Sequence, residues 1–483
     1  MPFSRLRAEW APSIPRELMA GAVATFALIP EVIAFSFVAG VDPAVGLFAS
    51  FVISIVIAFT GGRPAMISAA AGSVALVAAP LVQSHGLAYL LAAGVLAGLM
   101  QVAFGLLRLG ALMRFVSSSV RTGFVNALAI LIFTAQMPHL VGANGATWAL
   151  LALGLAIIYL LPRLTSAVPS PLVCIVVLSV LAAVAGLPVK TVADLGQLPD
   201  ALPMFGWPDV PLDLATLRLI ALPALAIAMV GLLESMMTAK VVDELTDTPS
   251  SKNRECTGLG IANVAASLFG GIAGCGMIGQ TVSNVRYGGR GRLSTLFAGA
   301  FLLILMVLLK PWVSQVPVIA LVAIMVMVSA STFDWGSLRG MVRHPRVSSA
   351  VMLVTVAVTV ATENLAAGVA VGVMLSGVFF TFKVARLMGV AVEDDAAGGP
   401  RVYRVTGQVF FASAELFIDA FDTRDTEDRP VRIDVTQAHF WDVTAVEALD
   451  TVVQRLRKHG SVVEVVGLNA ASRVLIDKLG SGR

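Results

Sequence analysis

Charge is scarce in this sequence. Only 13% of its 483 residues are Asp, Glu, Lys or Arg, about half the roughly 25% of a soluble globular chain. With 57% hydrophobic residues and a mean hydropathy of +0.88, a fold immersed wholly in water is excluded. The length allows about a dozen or more spans of ~20 residues plus a soluble domain. Cysteine is equally sparse. Cys174, Cys256 and Cys275 stand far apart with no C-x-x-C, which removes a disulfide framework or a zinc site. The five histidines show no metal-ligand spacing. No Lys/Arg cluster is interleaved with aromatics, so nucleic acid is not an expected partner. There is no nucleophile–base pair and no metal set, hence no expectation of an enzyme or a cofactor. The G-x-G at 258–260 has no strand before it and is not a nucleotide fingerprint.

What is present is a long series of apolar runs. They fall near 18–39, 44–60, 65–83, 87–107, 115–137, 146–162, 169–187, 217–239, 257–272, 276–285, 293–314, 315–331, 347–362 and 365–385, about fourteen segments. The third and tenth, 65–83 and 276–285, are interrupted by Gly and small polar residues. Basic residues mark every even-numbered connection, from Arg63 after the second run to Lys383 and Arg386 after the fourteenth, with Arg5, Arg7 and Arg16 before the first. Odd-numbered connections are neutral or acidic. By the positive-inside rule both termini of this multi-pass membrane protein are expected in the cytoplasm. The longest connection, 188–216, divides the runs into seven plus seven. An odd repeat inserts its second half upside down, and paired broken segments in inverted halves point to a midplane binding site.

From Glu393 onward the character changes, with 15 acidic and 11 basic residues. "EDDAAGGP" reads as a linker. Strands at 402–411, 431–435 and 461–467 alternate with helices at 443–458 and 470–479, the pattern of a small α/β domain. In "DVTAV" (442–446) Thr444 reads as a helix cap, with a phosphosite as the alternative.

Two acids lie well inside predicted spans, Glu31 in "ALIPEVIAFSF" and Glu234 in "VGLLESMMTAK". An acid at mid-membrane costs ~2.5–3.5 kcal/mol on insertion scales and is a functional hypothesis by default. Each sits in the first span of its half, so the repeat is expected to bring both to one site. The alternatives are a neutral acid at the Pro30 kink for Glu31 and an end-of-helix group snorkelling toward Lys240 for Glu234. The broken segments "ISAAAGSVALV" and "GCGMIGQTVSN" carry small residues that let backbone approach a ligand. If their half-helices face each other N-terminus inward, free N–H groups and about half a positive charge each make an anion site. Close packing of small residues between membrane helices is the alternative.

"LIPEVIAFSFVAGVDPAVGLFAS", "VRTGFVNALAILIFTAQMPHLVG", "GLLESMMTAKVVDELT" and "NRECTGLGIANVAASLFGGIAGCGMIGQTVSNVRYGG" together resemble the SulP (sulfate permease) family, which carries a C-terminal STAS domain. The resemblance implies a transmembrane domain over 1–390 and a cytoplasmic STAS domain over 391–483. It implies a fourteen-helix inverted repeat like that of uracil transporters, with core helices 1–4 and 8–11 and gate helices 5–7 and 12–14. Elevator transport by a homodimer in the lipid bilayer follows, with possible regulatory partners of the STAS domain. By motif position the binding site should comprise Glu31 and Phe35, then Ala71, Gly72 and Ser73, then Met277, Ile278, Gly279 and Gln280. Glu234 falls where relatives place an acid implicated in cation coupling, and Thr238 where a sodium-dependent relative places a hydroxyl ligand. Vertebrate members usually have Gln at the Glu31 position and Arg at the Gln280 position. The added carboxylate and missing guanidinium favour proton-coupled symport of a small oxyanion or carboxylate, such as sulfate, bicarbonate or a dicarboxylate, with Glu234 and Glu31 as coupling groups. The alternatives are sodium coupling, an uncoupled anion channel, and a signalling protein centred on the STAS domain.

Overall fold

The computed structural model describes residues 9–110, 116–164, 169–194, 204–343, 346–393, 399–422 and 429–479. Arg5, Arg7 and most of the expected linker lie outside these. The described chain falls into two units, Met1–Val373 and Met374–Arg483.

The first unit is helical. Its elements are α1 (Ile14–Ala39), α2 (Pro43–Thr60), β1 (Ser68–Ala70), α3 (Gly72–His85), α4 (Leu87–Leu106), α5 (Ser118–Thr134), α6 (Gly145–Leu164) and α7 (Ser170–Val184). Then follow α8 (Leu214–Thr246), α9 (Lys252–Leu268), β2 (Gly274–Gly276), α10 (Ile278–Arg286), α11 (Arg292–Val313), α12 (Val318–Thr332), α13 (Trp335–Arg343), α14 (Arg346–Thr362) and α15 (Leu365–Ala385), the last running on into the second unit. Among the described residues, eight helical runs are long and apolar enough to cross a membrane: α1, α2, α4, α5 with the turn that carries it to His139, α6, α8, α12 continued through α13 to Met341, and α15. Three more, α7, the first part of α11 and α14, are apolar but shorter. The expected fourteen segments therefore divide, with α3, α9 and α10 too short or too polar to span by length and composition.

Two sets of helices form by contact. One joins α1–α4 with α8–α11; the other joins α5, α6, α7, α12 and α14. Glycine permits the closest approach in the first set. A Cβ on Gly98 of α4 would meet the Gly260 carbonyl at 2.6 Å, and one on Gly260 of α9 would meet the Gly98 carbonyl at 2.5 Å. The "GLGIANVAASLFGG" stretch thus serves as a packing helix, as its composition implies.

The structure corrects three expectations. Helix α8 does not stop at Lys240 but continues to Thr246 and ends at Asp247 in the left-handed conformation. Glu234 is therefore three turns from the helix end, and Lys240 pairs with Glu244 at 3.6 Å on the exposed surface rather than with Glu234. The charges at Lys240, Asp243 and Glu244 end the apolar run but not the helix. Second, the connection after the twelfth run contains the amphipathic helix α13. Third, the runs 65–83 and 276–285 are not helical from their starts: Ser68, Ala69 and Ala70 pair antiparallel with Gly276, Cys275 and Gly274 before α3 and α10 begin. Pairing satisfies backbone groups that no water could reach.

The second unit holds a four-stranded sheet in the order β3 (Gly389–Glu393), β4 (Arg401–Val409), β5 (Val431–Phe440), β6 (Val463–Val466), antiparallel at the first junction and parallel at the others. Helices α16 (Ala414–Asp419), α17 (Val443–Lys458) and α18 (Ala470–Leu479) accompany it. Tyr403, Phe417, Ile433 and Leu449 lie in its core. The cap of α17 is Asp442, whose Oδ1 accepts from Ala445 N at 2.9 Å, not Thr444.

Candidate functional site

The β1–β2 pair delivers two helix starts to the interior of the first unit. Ala71 and Met277, both extended, are the N-cap residues of α3 and α10, and neither has a side-chain cap bond. The first helical bonds run from Ala75 N to Ala71 O and from Thr281 N to Met277 O. The N–H groups of Gly72, Ser73 and Val74, and of Ile278, Gly279 and Gln280, thus have no intrahelical acceptor.

Surrounding side chains hold this platform rigidly. Ser54 Oγ donates to Ser68 O at 2.9 Å, and Ser50 Oγ accepts from Ala70 N at 3.2 Å. Asn263 brackets Gly274, accepting from its N–H at 2.8 Å and donating to its carbonyl at 3.1 Å, while also donating to Gln101 Oε1. Ser235 Oγ accepts from Gly276 N at 2.9 Å. Thr238 Oγ1 reaches Glu234 O and Gly276 O, each at 2.9 Å. Thr238 therefore fastens α8 to β2.

Glu234 is 9% exposed. Its Oε2 accepts from Ser73 Oγ and, at 3.0 Å, from Cys275 Sγ. The carboxylate thus sits behind the platform, touching the first turn of α3 and the middle of β2. Glu31 is half-buried on α1 and faces Gln280. The buried Gln280 Nε2 makes no hydrogen bond of normal geometry. The Phe35 ring lies against Gly72, where a Cβ would come within 2.6 Å of it. At Gly279 a Cβ would meet nothing within 4 Å. Ala71, Gly72, Ser73 and Met277 are buried, Ile278 is partly so, and Gly279 is exposed.

The nine expected binding residues therefore surround two helix N-termini. The two acids occupy different positions: Glu31 beside Gln280 and Glu234 behind Ser73. Chemically the arrangement presents uncapped N–H groups on one side and a carboxylate tied to a cradle hydroxyl on the other. Among the described residues no group of three His, Cys, Asp or Glu is arranged to hold a metal.

Two further acids were not foreseen. Glu17 is 0% exposed and accepts from Arg290 N, Gly291 N and Ser294 N at 2.7, 2.9 and 3.1 Å, capping α11. Glu255, also 0% exposed, accepts from Gly62 N and Arg63 N at 2.7 and 3.1 Å. Both lie near helix ends, where an acid in sequence reads as solvated. Glycine at positions 61–62 and 288–289 is the signal that close backbone turns are available there.

The sulfate permease family model matches residues 14–153 and 143–355, and the STAS domain model matches residues 391–483. The putative sulfate transporter YbaR of Bacillus subtilis (strain 168) is 50% identical over 474 residues, covering 98% of each chain. The bicarbonate transporter BicA of Synechocystis sp. is 25% identical over 481 residues, 90% of this chain and 85% of that one. Among solved structures, the transmembrane domain of a cyanobacterium bicarbonate transporter BicA aligns with a TM-score of 0.66 at 25% identity, covering 75% of this chain and 97% of that one. The murine Solute Carrier 26 family member A9 anion transporter in the inward-facing state shares the fold, with a TM-score of 0.84 at 18% identity over 97% and 87% of the two chains. The chain is a multi-pass membrane protein of the sulfate permease family with a C-terminal STAS domain.

Proposed function

We propose that the protein is a secondary active transporter, not an enzyme, carrying a small oxyanion or carboxylate (sulfate, bicarbonate or a dicarboxylate) by proton-coupled symport. The observation that carries this is the bond from Ser73 to Glu234. The first turn of α3, which would hold the anion, shares a hydroxyl proton with the acid that would hold the coupling proton.

The uncapped N–H groups at 72–74 and 278–280 supply positive potential without a fixed cation. Glu31 opposes an anion when ionised and offers a donor when protonated. Relatives bearing sulfate and bicarbonate transporter names support the substrate class. The contact grouping of α1–α4 with α8–α11 supports a seven-plus-seven inverted repeat whose core moves against a gate in an elevator cycle. A homodimer in the bacterial plasma membrane, both termini cytoplasmic, completes this reading, with residues 1–390 as transport domain and 391–483 as STAS domain.

Labelled sulfate, bicarbonate or succinate taken up by proteoliposomes tests it. Accumulation should require an inward proton gradient. Uptake indifferent to the gradient for every one of these anions refutes proton coupling, and dependence on sodium at constant pH transfers the role to that ion.

A further inference from the structure

Three cavities meet at one residue. His139, in the 3-10 turn Met137–His139 after α5, lines a cavity of about 550 Å³ against the α1–α2 and α3–α4 turns. It lines another of about 260 Å³ with Asn144, Thr147 and Lys190. It also lines a small one of about 40 Å³ with Ala34, Val38 and Gln136. Ala34 and Val38 continue the α1 face that carries Glu31 and Phe35, being three residues beyond each, roughly 4.5 Å along the axis. The small cavity therefore lies one turn from the cradle, and the two larger ones lie outward of it.

The charged groups that line these spaces are Lys190 and Asp42, while His139 contributes a ring N–H. Among the described residues the His139 ring makes no hydrogen bond, and the Lys190 ammonium, which attracts the Asp194 carboxylate without reaching ion-pair distance, makes none either, so their donors face the cavities. Asp42 lines the largest cavity. Asp194, near Lys190, is engaged by Thr191 N and Oγ1 at 2.8 and 2.9 Å. The Lys190 segment is itself fixed: Val318 N donates to Lys190 O at 2.9 Å, and Val192 N donates to Val316 O at 2.9 Å.

We propose that the His139–Lys190 vestibule is a capture station for the transported anion, holding a sulfate-, bicarbonate- or carboxylate-type ligand before it passes Ala34 to the cradle. The inference rests on the transport reading above, in which this end of α1 faces the outside. A station that concentrates the anion at an entrance acts on capture and not on the transport step.

Initial uptake of labelled sulfate, bicarbonate and succinate by proteoliposomes holding the full chain tests it. For the anion that the unaltered protein transports, His139→Gln and Lys190→Gln should each raise KM roughly threefold or more, with Vmax changed less. Lys190→Cys should show the same KM, and a thiol reagent that adds an aminoethyl group should restore it by returning the positive charge. The three native cysteines are buried, and the unaltered protein treated alike controls for them. A sulfonate-bearing reagent should raise KM further. A structural role for Lys190 would not distinguish the two reagents. Unchanged KM in all variants, or equal effects of both reagents, overturns the capture station while leaving transport intact. Absence of transport of every anion by the unaltered protein overturns the functional reading and this inference with it.

Discussion

Gly72 and Gly279 lie in the first turns of the two half-helices, and the same change at each should have opposite consequences. At Gly72 an added methyl meets three Phe35 ring atoms at 2.6, 2.9 and 3.0 Å. Phe35 is 3% exposed and cannot swing away freely. Overpacking of this kind costs about 1–3 kcal/mol, so Gly72→Ala should lower the apparent unfolding temperature of the purified protein by a few degrees. At Gly279 the methyl meets nothing within 4 Å, and alanine favours the helix by at most ~1 kcal/mol. Gly279→Ala should keep or slightly raise stability yet intrude on the cradle, raising the KM of uptake. Phe35→Ala should relieve the first variant, the double substitution Gly72→Ala with Phe35→Ala costing less than the two changes summed. The assays are thermal unfolding in detergent and proteoliposome uptake. Stability and uptake of Gly72→Ala equal to those of the unaltered protein would refute the placement of Phe35 against α3.

Other substitutions probe the supports. Glu17→Ala strips the acceptor from three N–H groups, two of them buried, at about 1–3 kcal/mol for each buried one, and should abolish monodisperse material on size-exclusion chromatography or lower the unfolding temperature steeply. Asp442→Ala removes the acceptors of Ala445 N and Phe411 N and should cost about 1–2 kcal/mol, read as faster amide exchange over 443–458. Hydrogen bonds from the Thr436 hydroxyl and N–H hold Asp434 below the ordinary carboxylate range. Because the folded-state value is depressed, its contribution is present above the unfolded value of roughly 3.9 and lost as pH falls through the folded one. Asp434→Asn should therefore flatten the acid limb of STAS unfolding below about pH 4, followed by amide exchange within β5, and leave neutral behaviour near that of the unaltered protein.

The apolar runs located most helices because Gly, Pro and charge stop hydropathy where they stop a helix; the run 365–385 coincides with α15. Helix α8 broke that rule because Lys240, Asp243 and Glu244 interrupt the apolar run without ending the helix, and α13 because its charges read as loop. The β1–β2 pair was illegible. Ser-Ala-Ala and Gly-Cys-Gly have no strand propensity, and only their meeting across two hundred residues makes them a ladder. Glu31 and Glu234 were legible as charges out of place. The bonds from Ser73 and Cys275 to Glu234 were not, since no spacing announces a contact between α8 and two separate broken segments.

Anion exchange and anion accumulation measured side by side in Glu234→Gln proteoliposomes test the central claim most directly. Glutamine keeps an acceptor for Ser73 but cannot release a proton. The account predicts that anion counterflow persists while gradient-driven accumulation is lost. Accumulation at the level of the unaltered protein would contradict it.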